Sequence, residues 1–110
     1  MDNLTINKKR KDMYRRDGSK KSGTGFLGPH KNKVDGGTMT EVSIEFEDFY
    51  NGQQIPAMVP TLTPQEIKHL QNMKIKGNAR NIPQSIKRKA LDHARIRIQN
   101  GLSPFYQDGE

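Results

Sequence analysis

The sequence predicts a small α+β domain, a β-hairpin packed on two helices, preceded by an extended basic N-terminal arm. Three observations predict this fold. The net charge of +7 falls entirely within residues 1–33. An apolar pattern of period two is followed by turn residues and prolines, and two later segments have helical periodicity. We therefore expect an arm over residues 1–37, a domain over residues 38–106 and an acidic tail over residues 107–110.

The arm carries the excess charge of the chain. Residues 1–33 contain ten lysines and arginines against three aspartates, and the remaining residues contain nine charges of each sign. Residues 18–37 are rich in Gly, Ser and Lys, which predicts a flexible connection. One apolar pair, Phe26 and Leu27, interrupts it between glycines. Such a pair either pins a loop to a surface or is simply exposed.

Two classes of partner fit the arm equally well. Basic residues bind nucleic acid by releasing counterions from phosphates, and a tyrosine among them can stack on a base. The same charges suit an acidic protein surface or a solvated arm that keeps the protein in solution. We predict that the following arm residues bind an acidic partner: Lys8, Lys9, Arg10, Lys11, Tyr14, Arg15, Arg16, Lys20, Lys21, Phe26 and Leu27.

A β-hairpin is predicted next. Apolar residues alternate with polar and acidic ones at Val42, Ile44 and Phe46, as in a half-buried strand. The Asn-Gly pair at residues 51–52 is favoured in two-residue hairpin turns. A return strand is expected through residues 55–59. Its prolines lack an amide hydrogen, so this strand either lies at a sheet edge or ends early.

The first helix is predicted from its capping residues. Thr63 is a suitable N-cap, Pro64 suits the first helical position, and Glu66 can complete a capping box. The Gly-Asn pair at residues 77–78 is expected to end this helix.

The second helix is predicted to run from Pro83 to Asn100, with Gly101 as its C-cap. Ile96 lies on the side opposite the apolar stripe, and residues 102–105 are expected to fold back on the core. The stripe has helical spacing and comprises Ile86, Ala90, Leu91, Ala94 and Ile98. Cations surround it, as on an ordinary solvated face or on a docking face: Lys87, Arg88, Lys89 and Arg95.

Charge is also divided within the predicted domain. Residues 34–66 hold six acids and no lysine or arginine, whereas residues 67–97 hold nine cations and one acid. These two blocks attract each other when they pack, although an exposed pair contributes only about 0–1 kcal/mol.

No catalytic, cofactor or metal site is predicted. The chain has no cysteine, which removes disulfides and thiolate metal sites. His30, His69 and His93 lack the close spacing with carboxylates that a zinc site needs. Phosphate-binding and nucleophile motifs are missing. We therefore expect no enzymatic activity. No apolar run approaches the roughly 20 residues of a membrane span, so we expect no membrane partner.

Several stretches resemble a small module found in virion proteins of tailed bacteriophages, where it stands alone or forms part of larger proteins. The most specific are Val-Pro-Thr-Leu-Thr at residues 59–63 and Gly-Leu-Ser-Pro-Phe at residues 101–105. The likeness spans roughly residues 24–106. Three groups of residues carry it. The first is residues 25–28, 35–36 and 40–44, the second is residues 55–67, and the third is residues 82–90, 93–95 and 101–105.

This resemblance implies a phage origin and a place in the particle, but it implies no catalytic or binding residues. The expected function is a non-enzymatic structural or accessory protein that docks on portal, tail or capsid subunits, in multiple copies of a symmetric assembly. It is expected in the virion, and in the host cytoplasm during assembly. The alternative is a phage-encoded nucleic-acid-binding protein that acts in the infected cell.

Overall fold

The computed structural model describes residues 25–75, 81–107 and 110. The strands form two separate antiparallel pairs, β1 with β2 and β3 with β4, so the predicted α+β class is confirmed. The elements are β1 (His30–Lys31), β2 (Thr38–Met39), β3 (Ser43–Glu45), a 3₁₀ turn (Tyr50–Gly52), β4 (Gln54–Pro56), α1 (Pro64–Gln71) and α2 (Gln84–Gln99).

The hairpin of β1 and β2 lies where the sequence predicts a flexible connection. β1 pairs with β2 in antiparallel register, and the Asn32 amide donates to the Gly37 carbonyl at 2.8 Å. Residues 25–37 therefore belong to the folded part, and the prediction of a flexible connection is wrong for them, because backbone hydrogen bonds fix the turn. Residues 18–24 lie outside the described residues. The predicted boundary between arm and domain, after residue 37, therefore falls between β1 and β2.

The hairpin of β3 and β4 is longer at its turn than predicted. Ile44 is buried opposite Ile55, as the alternating pattern predicts. The two strands are joined by residues 46–53, so the prediction of a two-residue turn is wrong. Tyr50 packs against the core with a backbone φ of 54°, and its carbonyl accepts from the Gln53 amide at 2.9 Å. Packing of this aromatic residue thus draws the loop inward.

β4 ends at Pro56, in agreement with the early end that the prolines predict. The next three residues do not continue the alternation, because residues 57–59 are all fully buried. The first two of their amides donate to the chain before β3, where the Val42 carbonyl accepts from the Ala57 amide at 2.8 Å, and the Val59 amide donates to the Ala57 carbonyl at 3.1 Å. Val42 has a φ of 51°, which a β-branched residue adopts only under strain.

α1 begins as predicted and ends earlier. Thr63 and Glu66 form a complete capping box, with the Glu66 amide donating to the Thr63 hydroxyl at 3.1 Å. The helix ends at Gln71, so the predicted end at residues 77–78 is wrong. The reason is a tertiary contact, since the buried Asn32 side chain donates to the Leu70 carbonyl in the last turn and to the Met73 carbonyl just beyond the helix.

α2 matches its prediction at both ends. Pro83 and Asn100 are its flanking caps, and Gly101 follows with a φ of 74°. The Leu102 amide donates to the Arg97 carbonyl at 2.9 Å, as in a Schellman motif.

The core lies between the second hairpin and the two helices, with α2 packed on β4. Residues 102–105 fold back only in part, because Phe105 is buried whereas Leu102 is 45% exposed. No helix within the described ranges is long and apolar enough to cross a membrane. The main buried apolar side chains are Met39, Ile44, Ile55, Met58, Val59, Leu62, Leu70, Ile82, Ile86, Ala90 and Ala94.

Candidate functional site: the anchor of the arm

Phe26 and Leu27 are the predicted site residues that fall in the described part of the chain. Leu27 packs against the hydrophobic core, and Phe26 is half-buried against α2. The pair therefore pins its loop to the domain. Its predicted contact with a partner stays a prediction. The other predicted site residues lie outside the described residues: Lys8, Lys9, Arg10, Lys11, Tyr14, Arg15, Arg16, Lys20 and Lys21.

Phe26 is held by three side chains, which together with it we call the anchor cluster. Its ring lies edge-to-face with His93, at 4.7 Å between centroids, and with Tyr106, at 5.5 Å. The Arg97 guanidinium carbon lies 4.9 Å from the ring centroid. Each aromatic pair is worth about 0.5–1.5 kcal/mol beyond area burial, and a cation over a ring adds about 0.5–1 kcal/mol. The anchor cluster therefore joins the arm to α2 and to the C-terminal segment.

Gly25 fixes the backbone immediately before the anchor cluster. It is buried with a φ of 68°, and a Cβ there would lie 2.2 Å from the Thr40 carbonyl oxygen. Both the backbone angle and the close approach require glycine. The chain is thus pressed against the segment that leads into β3.

Arg97 ties the C-terminal segment to α2. Its Nε donates to the Ser103 carbonyl at 2.5 Å, and its Nη2 donates to the Phe105 carbonyl at 3.0 Å. The same Nη2 also contacts both carboxylate oxygens of Glu110, at 2.8 and 2.9 Å. Burial alone raises the pKa of Glu110, but hydrogen bonds from the Gln107 amide and from Arg97 lower it overall. Arg97 therefore positions both Phe26 and the end of the described chain.

His93 supplies an uncharged surface beneath Phe26. Burial, and then the nearby positive charge of Arg97, lower its pKa, so the imidazole is neutral at pH 7. Its buried Nδ1 has no hydrogen-bond partner among the described residues. Within these residues, no three His, Asp or Glu side chains converge to hold a metal ion.

Sequence reasoning missed the roles of Arg97 and Tyr106. The sequence does carry one signal, because His93 and Arg97 are four residues apart and share a side of α2. Nothing in the sequence shows that Phe26, some seventy positions earlier, packs on that side.

The remaining cations of α2 have different surroundings. Lys89 Nζ forms an ion pair with Glu66 Oε1 at 2.6 Å, which realises the attraction expected between the two charged blocks. The Arg95 guanidinium lies 5.6 Å from the centroid of the Phe49 ring. Arg88 is exposed. Some cations of α2 thus contact partners within the domain, whereas others face solvent.

Glu66 has the most strongly shifted pKa among the described residues. Burial raises it, but hydrogen bonds from Lys89, from the Thr63 amide and from Ser85, with the charge of Lys89, lower it to about 2. This carboxylate closes the capping box of α1 and binds α2 at the same time.

A groove of about 250 Å³ lies beside the strained Val42. Residues 37–43 line it together with Asn32, Asp35 and Ile75, and its surface mixes hydroxyls, carboxylates and apolar groups. Asp35 is engaged in the fold, since its Oδ2 accepts from the Ile75 amide at 2.6 Å.

The fold and the anchor cluster define the class of this protein as a small α+β domain to which a basic segment is fastened by an aromatic and arginine contact. The chain matches no protein-family model, no curated protein and no solved structure. Its function is therefore proposed from its own charges, contacts and sequence patterns.

Proposed function

We propose that this chain is a non-enzymatic structural or accessory protein of a tailed-bacteriophage virion. Its folded part docks on a portal, tail or capsid subunit, and its basic arm anchors it to an acidic surface there. The resemblance to a phage virion module supports this proposal. The most specific stretches of that resemblance include the run that leads into the Thr63 capping box and the segment that closes α2.

The observation that carries the proposal is the separation of charge along the chain. Residues 1–33 have a net charge of +7, whereas residues 34–110 hold nine charges of each sign. The contacts of Phe26 give this charged segment a fixed attachment point on the domain. From Gly25 back to Lys8, a stretch of 17 residues reaches at most about 60 Å. The acidic surface that these arm cations contact therefore lies within that distance of the docked domain.

High net charge with few apolar residues suits a segment that binds along a large partner surface, which favours a role inside an assembly. The counterpart is an acidic groove of a virion protein or packaged DNA. Several linked copies in a symmetric particle bind more tightly overall than one copy does, because each contact after the first becomes intramolecular.

Quantitative mass spectrometry of purified particles tests the proposal. A phage carrying the arm variant Lys8→Gln, Lys9→Gln, Arg10→Gln and Lys11→Gln is expected to incorporate less of the protein. The matched control removes four exposed cations of the folded part, through Lys31→Gln, Lys33→Gln, Lys68→Gln and Lys74→Gln, and is expected to incorporate normally. Absence of the wild-type protein from particles would overturn the proposal.

The second candidate, a nucleic-acid-binding protein of the infected cell, is favoured by Tyr14 among the arm cations. Gel-shift titrations across a salt series test it with the same two variants. Each phosphate contact contributes about 0.9 to the salt slope for duplex DNA, so losing four arm cations is expected to reduce that slope by about 3–4. Tight arm-dependent binding, together with absence from particles, would replace the first proposal with this one.

A further inference from the structure

We infer that two copies of this chain associate through a reciprocal contact between an acidic turn and the outer face of α2. The acidic turn consists of Glu47 and Asp48, which follow β3. The outer face of α2 consists of Arg88, Arg95 and Ile96. This inference is independent of the phage assignment, because it rests on the folded part alone.

The charges of the folded part favour self-association. Residues 34–66 carry six acids without a cation, and residues 67–97 carry nine cations with one acid. Residues 34–110, which contain both patches, carry nine charges of each sign, so this part of the chain adds no net-charge repulsion between two copies. Its separated blocks attract a second copy that presents the opposite block.

The charges needed for this contact are available at the surface. Among the described residues, the structure gives Glu47, Asp48 and Arg88 no ion-pair partner, and all three are exposed. By contrast, Lys89 and Arg97 are already paired within the chain. Both patches therefore contain charges that are available to a second copy.

Three exposed apolar side chains lie at the C-terminal end of α2. Ile96 is 57% exposed and Leu102 is 45% exposed, and Ile98 between them is 37% exposed. A Schellman motif places its last residue, here Leu102, near the side chain four positions before the cap, here Ile96. A monomer leaves this apolar surface in water, and a second copy that covers it gains by burying it.

The two patches lie side by side on one surface. Arg95 lies 5.6 Å from the centroid of the Phe49 ring, and Phe49 directly follows the acidic turn. Arg88 is seven residues earlier on the same side of α2, about 10 Å along the helix axis. Adjacent patches of opposite sign are self-complementary about a two-fold axis. The acidic turn of each copy then meets Arg88 of the other, so the contact is made twice.

One acid, Asp92, lies on this face between Arg88 and Arg95. It is four residues from the first arginine and three from the second, which is the spacing at which helix side chains neutralise each other. Because one aspartate offsets only one of the two arginines, the face keeps a net positive charge, and the acidic turn of a second copy meets attraction there.

Sedimentation equilibrium of the full chain tests the inference. At about 0.1 M salt the Debye length is about 10 Å, which screens the long-range repulsion between two chains of net charge +7 but not the close contact, and a monomer–dimer equilibrium is expected. At about 1 M salt the Debye length is about 3 Å, and the dimer is expected to weaken markedly. A chain that stays monomeric at both salt concentrations, up to about 1 mM protein, would overturn the inference.

Charge reversal identifies the contact. Arg88→Glu and Glu47→Lys are each expected to raise the dimer dissociation constant at least about tenfold, because the two-fold axis counts each lost pair twice. The double variant is expected to recover the wild-type constant, since it restores the pair with reversed signs. Lys68→Glu is the matched control on exposed α1 and is expected to change the constant little.

Two patterns contradict this assignment. If each reversal weakens the dimer and the double variant does not recover it, the two residues do not meet. If Glu47→Lys weakens the dimer while Arg88→Glu has no effect, the arm of the second copy binds the acidic turn instead of α2. Thermal unfolding followed by circular dichroism confirms that each variant is folded before its constant is compared.

Discussion

The two helices of this protein end in different ways. The last carbonyls of α2 accept hydrogen bonds from the next two residues of the chain, Gly101 and Leu102. The last carbonyls of α1 accept hydrogen bonds from the two residues that follow it and, in addition, from Asn32 and Lys33, about forty positions earlier in the chain. One helix end is closed by local contacts alone, and the other is closed by local contacts and by a tertiary contact. Damage at the first is expected to stay local, and damage at the second is expected to separate two parts of the fold.

Asn32 shows why the tertiary end is the more sensitive one. Its Nδ2 donates to the Leu70 carbonyl at 2.9 Å and to the Met73 carbonyl at 2.8 Å. Its Oδ1 accepts from the amides of Val34 at 2.9 Å and of Asp35 at 2.6 Å. The residue is 2% exposed, so water does not replace these partners. A buried amide with every partner satisfied joins the first hairpin to α1.

Asn32→Ala is expected to give the largest effect. It leaves two carbonyls and two amides without their partner, and we expect a loss of about 3–5 kcal/mol in the free energy of unfolding. Urea denaturation followed by circular dichroism measures it. The control is Asn72→Ala, which removes an exposed side-chain bond to the Lys68 carbonyl and is expected to cost under about 1 kcal/mol. Similar losses in the two variants would mean that Asn32 does not hold the parts together.

Gly25→Ala is expected to follow, because it tests a second contact between distant segments. The new Cβ meets the Thr40 carbonyl oxygen at 2.2 Å and also takes a φ of 68°. We expect a loss of about 2–4 kcal/mol from the combined strain and overlap. Gly28→Ala is the matched control, since its φ is 78° and nothing lies within 4 Å of the new atom. Its expected loss is about 1–2 kcal/mol, and equal effects at the two positions would contradict the close approach.

Gly101→Ala probes the local helix end and is expected to cost about 1 kcal/mol. The position has a φ of 74° and open space around it, so the backbone angle is the source of the cost. Gly101→Asn is expected to cost less, because asparagine tolerates this conformation better. The same denaturation measurement applies. A loss as large as that of Asn32→Ala would remove the distinction between the two helix ends.

The smallest expected effect is a pH dependence at the start of α1. Glu66 has a folded-state pKa of about 2 against 4.5 in its ordinary state. Its contribution to stability is therefore fully present above about pH 4.5 and is lost as the pH falls towards about 2. Between these pH values, the free energy of unfolding should fall less steeply with decreasing pH for Glu66→Gln and for Lys89→Met than for wild type. An equal dependence on pH in all three proteins would show that the ion pair does not cause it.

Much of the fold could be predicted because its signals are local. The Thr63 capping box, the Pro83 start and the Gly101 end of α2 depend on neighbouring residues, and the structure agrees at each. The end of α1 and the length of the second hairpin turn could not be predicted. The first depends on Asn32 and the second on the burial of Tyr50, and both are contacts between segments far apart in sequence.

The candidate site was predictable only in part. The glycines around Phe26 indicate a loop that touches a surface, and the structure places this ring on α2. The side chains that receive it are His93, Arg97 and Tyr106, and no spacing in the sequence connects them to residue 26. The basic residues before Gly25 remain predictions from charge alone.

The sequence by itself determined where this protein carries its charge and where its helices begin, because net charge and N-caps belong to short stretches of chain. Only the tertiary structure decided that the segment before residue 38 belongs in part to the fold. Residues 25–37 have the composition of a linker, yet Asn32 and Gly25 fit positions that exist only after α1 and β3 are in place. A buried amide and a close backbone contact gain their energy from distant partners, so no local pattern announces them.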